Sequence, residues 1–453
     1  MRTISDWGNY PLIEADVLGF NTTEQLEVGL KHEGPAIAYG NGRSYGDASL
    51  QKQIFSTRHF NKLLAFDEAS GLLTCQSGIL LSEILDLFVP RGWFLPVTPG
   101  TKLITVGGAI AADVHGKNHH LDGTFGEHIT SMSVMRNDGS VVSCSPSENE
   151  EFFRLTVGGM GLTGIILTAS FCLKKIETAY IREETVKARN LNAIMDCFEE
   201  STSWSYSVAW IDCLAHGNAL GRSIMMRGEH ATLDDLDTNK YPNPLLLPKK
   251  PTFSVPFMFP NFALNPLTMR AFNFAYYKKC PAGIHRRITD YNHFFYPLDA
   301  IAHWNRIYGK RGFTQYQFVI PKEVGRKGMH TILTRITQSG LGSFLAVLKL
   351  FGKQKRSGLL SFPMEGYTLA LDFPISKQAF LLFKELDAMV ADFGGRLYLA
   401  KDSRMDADLF EETYPNAVHF KESIALLNEG HSTPFASLQS ERIGISNKAG
   451  ETS

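Results

Sequence analysis

Two glycine-rich segments constrain this chain more than any other feature, Gly40-Asn-Gly-Arg-Ser-Tyr-Gly-Asp47 and Pro99-Gly-Thr-Lys-Leu-Ile-Thr-Val-Gly-Gly108. Glycine permits φ > 0 and removes the Cβ that holds a backbone away from a phosphate, so such segments suit close approach to a dinucleotide. Ala36 to Tyr39 reads as a short buried strand, which places Gly40, Gly42 and Gly46 in the turn leaving it, with Arg43 and Ser44 adding a cation and a hydroxyl. A glycine cluster alone marks a turn. The second segment, running on into Asp113-Val-His-Gly-Lys-Asn-His-His120, turns the reading toward a cradle for FAD.

At 453 residues the chain exceeds one typical core, and two domains are expected. Lys plus Arg is 45 and Asp plus Glu is 46, a balance that provides no overall field for nucleic acid. The six cysteines are scattered without a C-x-x-C pair and read as reduced thiols of a cytoplasmic enzyme. No apolar stretch follows Arg2, so no cleaved signal is expected, and no run approaches the roughly 18 residues of a membrane span.

Residues 30 to 175 read as short strands (Leu72 to Gln76, Ser131 to Arg136, Val141 to Cys144, Gly164 to Leu173) interrupted by a helix with Ser82 as N-cap and Leu81, Ile84, Leu85 and Phe88 on one face. Near Tyr180 the pattern changes to strands and helices. One helix starts after Asn190 and another after Ser376, the latter stopping at Gly394-Gly395. Tyr206 to Ile211, Tyr316 to Ile320, Phe344 to Phe351 and Tyr367 to Phe373 read as strands. The fold class is therefore α+β, with a sheet faced by helices capping the substrate. Residues 236 to 266 are rich in proline and aromatics and read either as a lid contacting an acyl or prenyl chain or as a loop packed on its own domain.

Gly159-Met-Gly161-Leu-Thr-Gly164 matches G-x-G-x-x-G, but the β-rich run Ile165 to Phe171 follows it, where a Rossmann loop must open a helix. His115, His119 and His120 have no acidic or cysteine partner at a recognised ligand spacing, so no metal site is expected. His115 is better used toward a cofactor or substrate, and a neutral imidazole there can accept a proton from an alcohol. Lys349 lies inside an apolar run, and a buried ammonium requires an anionic or strongly polar partner such as a ligand phosphate. The absence of G-x-S-x-G, Walker-type and H-E-x-x-H patterns removes the commonest hydrolase and NTPase readings.

Gly42-Arg-Ser-Tyr-Gly-Asp47, Pro99-Gly-Thr101, Thr105-Val-Gly-Gly-Ala-Ile110, Asp113 to His120, Gly161-Leu-Thr-Gly-Ile-Ile166, Gln315-Tyr-Gln-Phe-Val-Ile-Pro321 and Ala400-Lys-Asp-Ser-Arg404, in order over nearly the whole chain, resemble the vanillyl-alcohol-oxidase-type flavoprotein family. The resemblance implies a two-part FAD-binding domain, residues 1–179 and 396–453, with an inserted substrate-binding domain of antiparallel sheet and helices at 180–395. It assigns FAD contacts to Gly40, Asn41, Gly42, Arg43, Ser44, Tyr45, Gly46, Gly100, Thr105, Val106, Gly107, Gly108, Ala112, Asp113, Val114, His115, Ile166 and Tyr398. Lys117, Gln315, Gln317, Lys349 and Thr368 would line the substrate side, and either His115 or Lys401 would be the catalytic base. Family members that bond flavin covalently through the first loop carry His where Arg43 stands, which implies non-covalent FAD. Members inhibited through a cysteine adduct carry Asn and Cys where Thr368 and Ala370 stand, so such inhibition is expected to fail.

The implied activity is oxidation of a sugar secondary alcohol, the C2 hydroxyl of a polyprenyl-phosphate-linked ribose, as the first half of an epimerisation in cell-envelope precursor synthesis with a short-chain dehydrogenase partner. A flavin oxidase of a soluble alditol or aldonolactone is the alternative. The expected setting is cytoplasmic, with peripheral contact to the inner membrane.

Overall fold

The computed structural model describes residues 1–446 apart from 32, 249, 250, 252, 357 and 430–433. Its fold is α+β. The largest sheet has eight strands in the order Ile284–Asp290, Tyr180–Ala188, Ser223–His230, Tyr206–Ile211, Ala346–Phe351, Gly366–Pro374, Phe313–Pro321 and Arg396–Leu397, paired antiparallel throughout. Helices Leu191–Glu199, Gly325–Ser339 and Lys377–Asp392 cover one face. Their apolar residues meet the alternate side chains Phe318, Leu348, Leu369 and Leu371 in the main core, as the period-2 geometry of strands requires. The other face is left for a ligand.

The amino-terminal part is built on two smaller sheets. One, ordered Leu63–Asp67, Leu72–Gln76, Ile165–Cys172, Ile129–Met135 and Val141–Cys144, packs on helix Leu81–Phe88 in a second core. That helix starts two residues earlier than the sequence suggested. Leu80 is its N-cap, its N–H donating to the Glu83 carboxylate at 2.7 Å, and Ser82 lies in the first turn. The other sheet orders Arg2–Ile4, Ile13–Gly19, Gln53–Ser56 and Ala36–Tyr39, the last three parallel.

The chain returns to this part at its end. Ala36 donates to Pro434 O and accepts from Ala436 N, at 3.1 and 3.0 Å, and Gln439 Nε2 donates to Leu399 O at 2.8 Å. The Arg442 guanidinium binds Asp47 at 2.6 Å and Asp402 at 3.0 Å, joining the first glycine turn to the segment after Leu397. Both carboxylates are buried, and buried ion pairs of this kind fix geometry through the high cost of removing either partner. The last strand of the large sheet is short, Arg396–Leu397, and a 3-10 turn then carries Lys401.

Candidate active site

Between the glycine turns and the open face of the large sheet lies a cavity of about 410 Å³, within the range of small-molecule sites. It gathers Gly40 to Tyr45, Gly100, Thr105, Gly107, Gly108, Ala112, Val114, His115, Lys117, Ile166, Gln315, Gln317, Lys349, Thr368, Tyr398 and Lys401, residues that span most of the chain. The sheet supplies its share by alternation: Gln315 and Gln317 from one strand, Thr368 and Ala370 from the next, Val347 and Lys349 from the third.

Three residues named from the sequence lie off the cavity. Gly46 packs against the 402 backbone, and an added Cβ would sit 1.7 Å from Asp402 O. Val106 has no exposed surface and belongs to the second core. Asp113, held at φ +40°, is fully buried and accepts from Gly126 N at 3.0 Å and Ser361 Oγ at 2.5 Å. It sets the turn that delivers His115. Gly107 does line the cavity, but its missing Cβ would face Ser77 at 3.0 Å while its N–H binds Ser77 O at 2.8 Å. Close helix packing, rather than open backbone toward the ligand, accounts for that glycine.

The walls around the turns suit a dinucleotide. Arg43 stacks on Trp7 at 4.0 Å, while Trp7 N–H donates to Ser44 O at 2.9 Å and holds the loop. Arg43 Nε and Ser77 Oγ are buried without a partner on this lining, and buried polar atoms are rarely left so unless something else satisfies them. Added side chains are excluded at Gly40, whose Cβ would lie 2.4 Å from Thr105 Oγ1. The residues therefore fit FAD.

Opposite them three lysines converge. Among the described residues none of Lys117, Lys349 and Lys401 has a carboxylate at ion-pair distance. Burial pulls the Lys401 ammonium down to about 7, with Asp372 opposing and Lys349 adding to the fall. Burial likewise brings Lys349 to about 8, and Lys117 to about 7 with help from Lys349. Lys401 Nζ lies 3.8 Å from the Tyr45 ring centroid, and Lys117 donates to Phe294 O. Lysines buried together without a carboxylate at ion-pair distance make a receptor for an anion, which favours their protonated forms.

His115 is clamped on both sides, its Nδ1 3.4 Å from Lys349 Nζ and its Nε2 3.1 Å from the Gln317 side-chain amide. Burial first, then Lys349, hold its pKa well below the ordinary value, so the ring is neutral. A neutral imidazole has one N–H, and here each nitrogen is already engaged. His119 packs on Phe351 at 4.3 Å and His120 binds Trp204 O at 2.7 Å.

Sequence reasoning passed over Asp372, Trp210 and Tyr276. Asp372 is fully buried in register with Gln315, whose Nε2 donates to it at 2.6 Å, and burial lifts its carboxyl to about 7 against that hydrogen bond and Lys401. An acid inside the apolar strand Gly366–Pro374 was the available signal.

No cysteine lies on the cavity among the described residues, and Ala370 presents only a methyl. A thiol-directed electrophile is therefore expected to leave turnover unchanged while labelling the exposed Cys172, which intact mass and initial rates would check. A drop in turnover that follows adduct formation would contradict it.

The FAD binding domain family matches residues 24–145. Decaprenylphosphoryl-beta-D-ribose oxidase of Mycolicibacterium smegmatis is 38% identical over 385 residues, covering 84% of this chain and 83% of that protein. An uncharacterized protein of Streptomyces coelicolor is 31% identical over 81% of this chain and 100% of its own length. A putative D-arabinono-1,4-lactone oxidase of Neurospora crassa is 31% identical over 133 residues, only 29% of this chain.

Proposed function

Because the chain belongs to the decaprenylphosphoryl-β-D-ribose oxidase family, we propose that it oxidises the C2 hydroxyl of a polyprenyl-phosphate-linked ribose to the 2-keto sugar, with FAD as cofactor. The observation that carries the substrate class is the group of three lysines without carboxylate partners on a cavity that also holds the flavin residues. A sugar phosphate supplies the missing anion; a free alditol or lactone does not. The match to a lactone oxidase covers only 133 residues, 29% of this chain.

On this reading residues 1–179 and 396–453 hold FAD and 180–395 hold the sugar. Gly40 to Tyr45, Gly100, Thr105, Gly108, Ala112, Val114, His115, Ile166 and Tyr398 hold the cofactor. FAD, when bound, supplies the acceptor for hydride from the carbinol carbon. The chain supplies aim and proton transfer. Lys401 as neutral amine takes the hydroxyl proton while the C–H bond breaks and C=O forms. His115, its two nitrogens taken up by Gln317 and Lys349, holds those two side chains in place beside the sugar and does not serve as the base. Lys349 and Lys117 hold the phosphate, and Gln315, Gln317 and Thr368 border the sugar.

Arg43 stands where a covalent flavin link would need His, so the cofactor is non-covalent. Flavin colour is expected to pass an ultrafilter after denaturation; colour retained with the protein would contradict this. The 2-keto product calls for a reductase, and a short-chain dehydrogenase partner would complete an epimerisation serving the cell envelope. No described helix is long and apolar enough to cross a membrane. The reading places the protein in the cytoplasm with peripheral contact to the inner membrane.

Two roles of opposite sign set the pH dependence. Lys401 accepts a proton only above its pKa of about 7, and Lys349 attracts phosphate as an ammonium only below its pKa of about 8. The kcat/KM for the phosphorylated ribose should peak between these values, whereas any slow oxidation of a free pentitol should keep the rising limb and lose the falling one. Comparing turnover of the lipid-phosphate ribose with that of pentitols and aldonolactones tests the substrate class; faster oxidation of the soluble polyols would overturn it.

A further inference from the structure

Outside the cavity, one surface is left unexplained by the protein's own core. Helix Pro266–Lys279 buries only Met269 and Asn273. It presents Leu267, Phe274 and Phe272 at 77%, 53% and 46% exposure, and Phe262 just before it is 78% exposed. Exposed apolar side chains of this size, gathered within one short segment, mark a contact surface.

Along this stretch of the sequence the charge is one-sided. Residues 238–289 contain Lys or Arg at 240, 249, 250, 270, 278, 279, 286 and 287 and no Asp or Glu, in a chain whose totals balance at 45 and 46. Arg286 and Arg287 are paired with Glu184 and Glu183. Arg270, Lys278 and Lys279 are exposed, with no carboxylate partner among the described residues. The patch is continuous with the cavity: Phe272 stacks on Tyr276 at 5.8 Å, and Tyr276, on the cavity lining, packs on Trp210 at 4.8 Å.

Aromatic and leucine side chains interleaved with unpaired cations suit the headgroup region of an anionic bilayer. A second copy docked through a two-fold contact would set the same cations against each other. A cavity of about 410 Å³ has no room for a polyprenyl tail, which must lie outside it. The geometry points to the surface of residues 253–279 as a seat on anionic lipid, holding the cavity mouth against the bilayer that carries the substrate's tail. The purpose of this seat rests on the lipid-substrate reading above, whereas the surface itself does not.

Flotation of the full-length FAD-loaded protein with vesicles of phosphatidylcholine, with and without phosphatidylglycerol, tests the seat. The wild type should float with the anionic vesicles, less so at raised salt. The triple variant Arg270→Glu/Lys278→Glu/Lys279→Glu and the double variant Leu267→Gln/Phe274→Ser should each lose binding about tenfold or more, while keeping bound flavin and wild-type turnover of a water-soluble short-prenyl ribose phosphate. Absence of flotation by the wild type, undiminished flotation by both variants, or a solution dimer that the substitutions dissolve would overturn the seat. Flotation without oxidation of any ribose phosphate would leave the seat standing and remove the substrate reading instead.

Discussion

Replacing Lys401 with alanine should leave the purified protein yellow and lower sugar oxidation by about 10²- to 10⁴-fold, the usual contribution of a positioned acid or base. The colour should survive because losing the Lys401 side chain removes one contact on the Tyr45 ring and leaves the first loop held by Trp7 on Ser44 O and Arg43. The rate should fall because no neighbour can substitute. Both nitrogens of His115 are taken up, and Asp372 is bound to Gln315 at 2.6 Å. Bound flavin from the visible spectrum and kcat from substrate turnover check the two halves. A variant within threefold of wild type, on the order of what a non-catalytic contact gives, would remove Lys401 from the chemistry.

The second large effect is expected at Gly46→Ala. The new Cβ would lie 1.7 Å from Asp402 O and 2.6 Å from Asp402 C, a backbone against a backbone, so no rotamer change relieves it. Overpacking costs typically 1–3 kcal/mol and sometimes more, and this contact should reach at least about 3 kcal/mol. The strain falls where Tyr45 N–H donates to Ala400 O at 3.1 Å and where Arg442 joins Asp47 to Asp402. Lys401 sits between these ties. The variant should unfold at lower temperature, and its folded fraction should have lost both flavin retention and turnover. Wild-type melting and activity would contradict the packing described.

The glycine turns were legible in the sequence because backbone near a cofactor leaves a compositional mark: Gly42 has φ +57° and Gly164 φ +145°. The G-x-G-x-x-G decoy was also legible, since Gly164 feeds the strand Ile165–Cys172. What could not be read was which face each glycine serves. Gly46 and Gly107 answer to Asp402 and Ser77, partners that only the folded chain brings close. The resemblance assigned Asp113 to the flavin, yet its carboxylate is spent on Gly126 and Ser361, the latter 248 residues away.

The sheet was read in outline but not in register. Strand periodicity located Tyr206–Ile211 and most of Gly366–Pro374, whereas the cavity's chemistry depends on cross-strand neighbours such as Gln315 opposite Asp372 and Lys349 opposite Thr368. The helix Gly325–Ser339 was missed; its two internal glycines and three threonines weaken the helical signal, and Gly325 and Gly328 lie against Tyr367 and Ile320 in the core. The segment read as either lid or packed loop, 236–266, ends where the helix Pro266–Lys279 begins; that helix buries only Met269 and Asn273, so its apolar residues are not gathered on one core-facing stripe and it carries little of the usual amphipathic pattern.

The most direct test is anaerobic mixing of the yellow protein with polyprenyl-phosphoryl ribose. Loss of the oxidised-flavin absorbance, with one 2-keto sugar formed per flavin, is the predicted result. A spectrum that the lipid-linked ribose leaves unchanged, in protein shown to be fully loaded with FAD, would contradict the account.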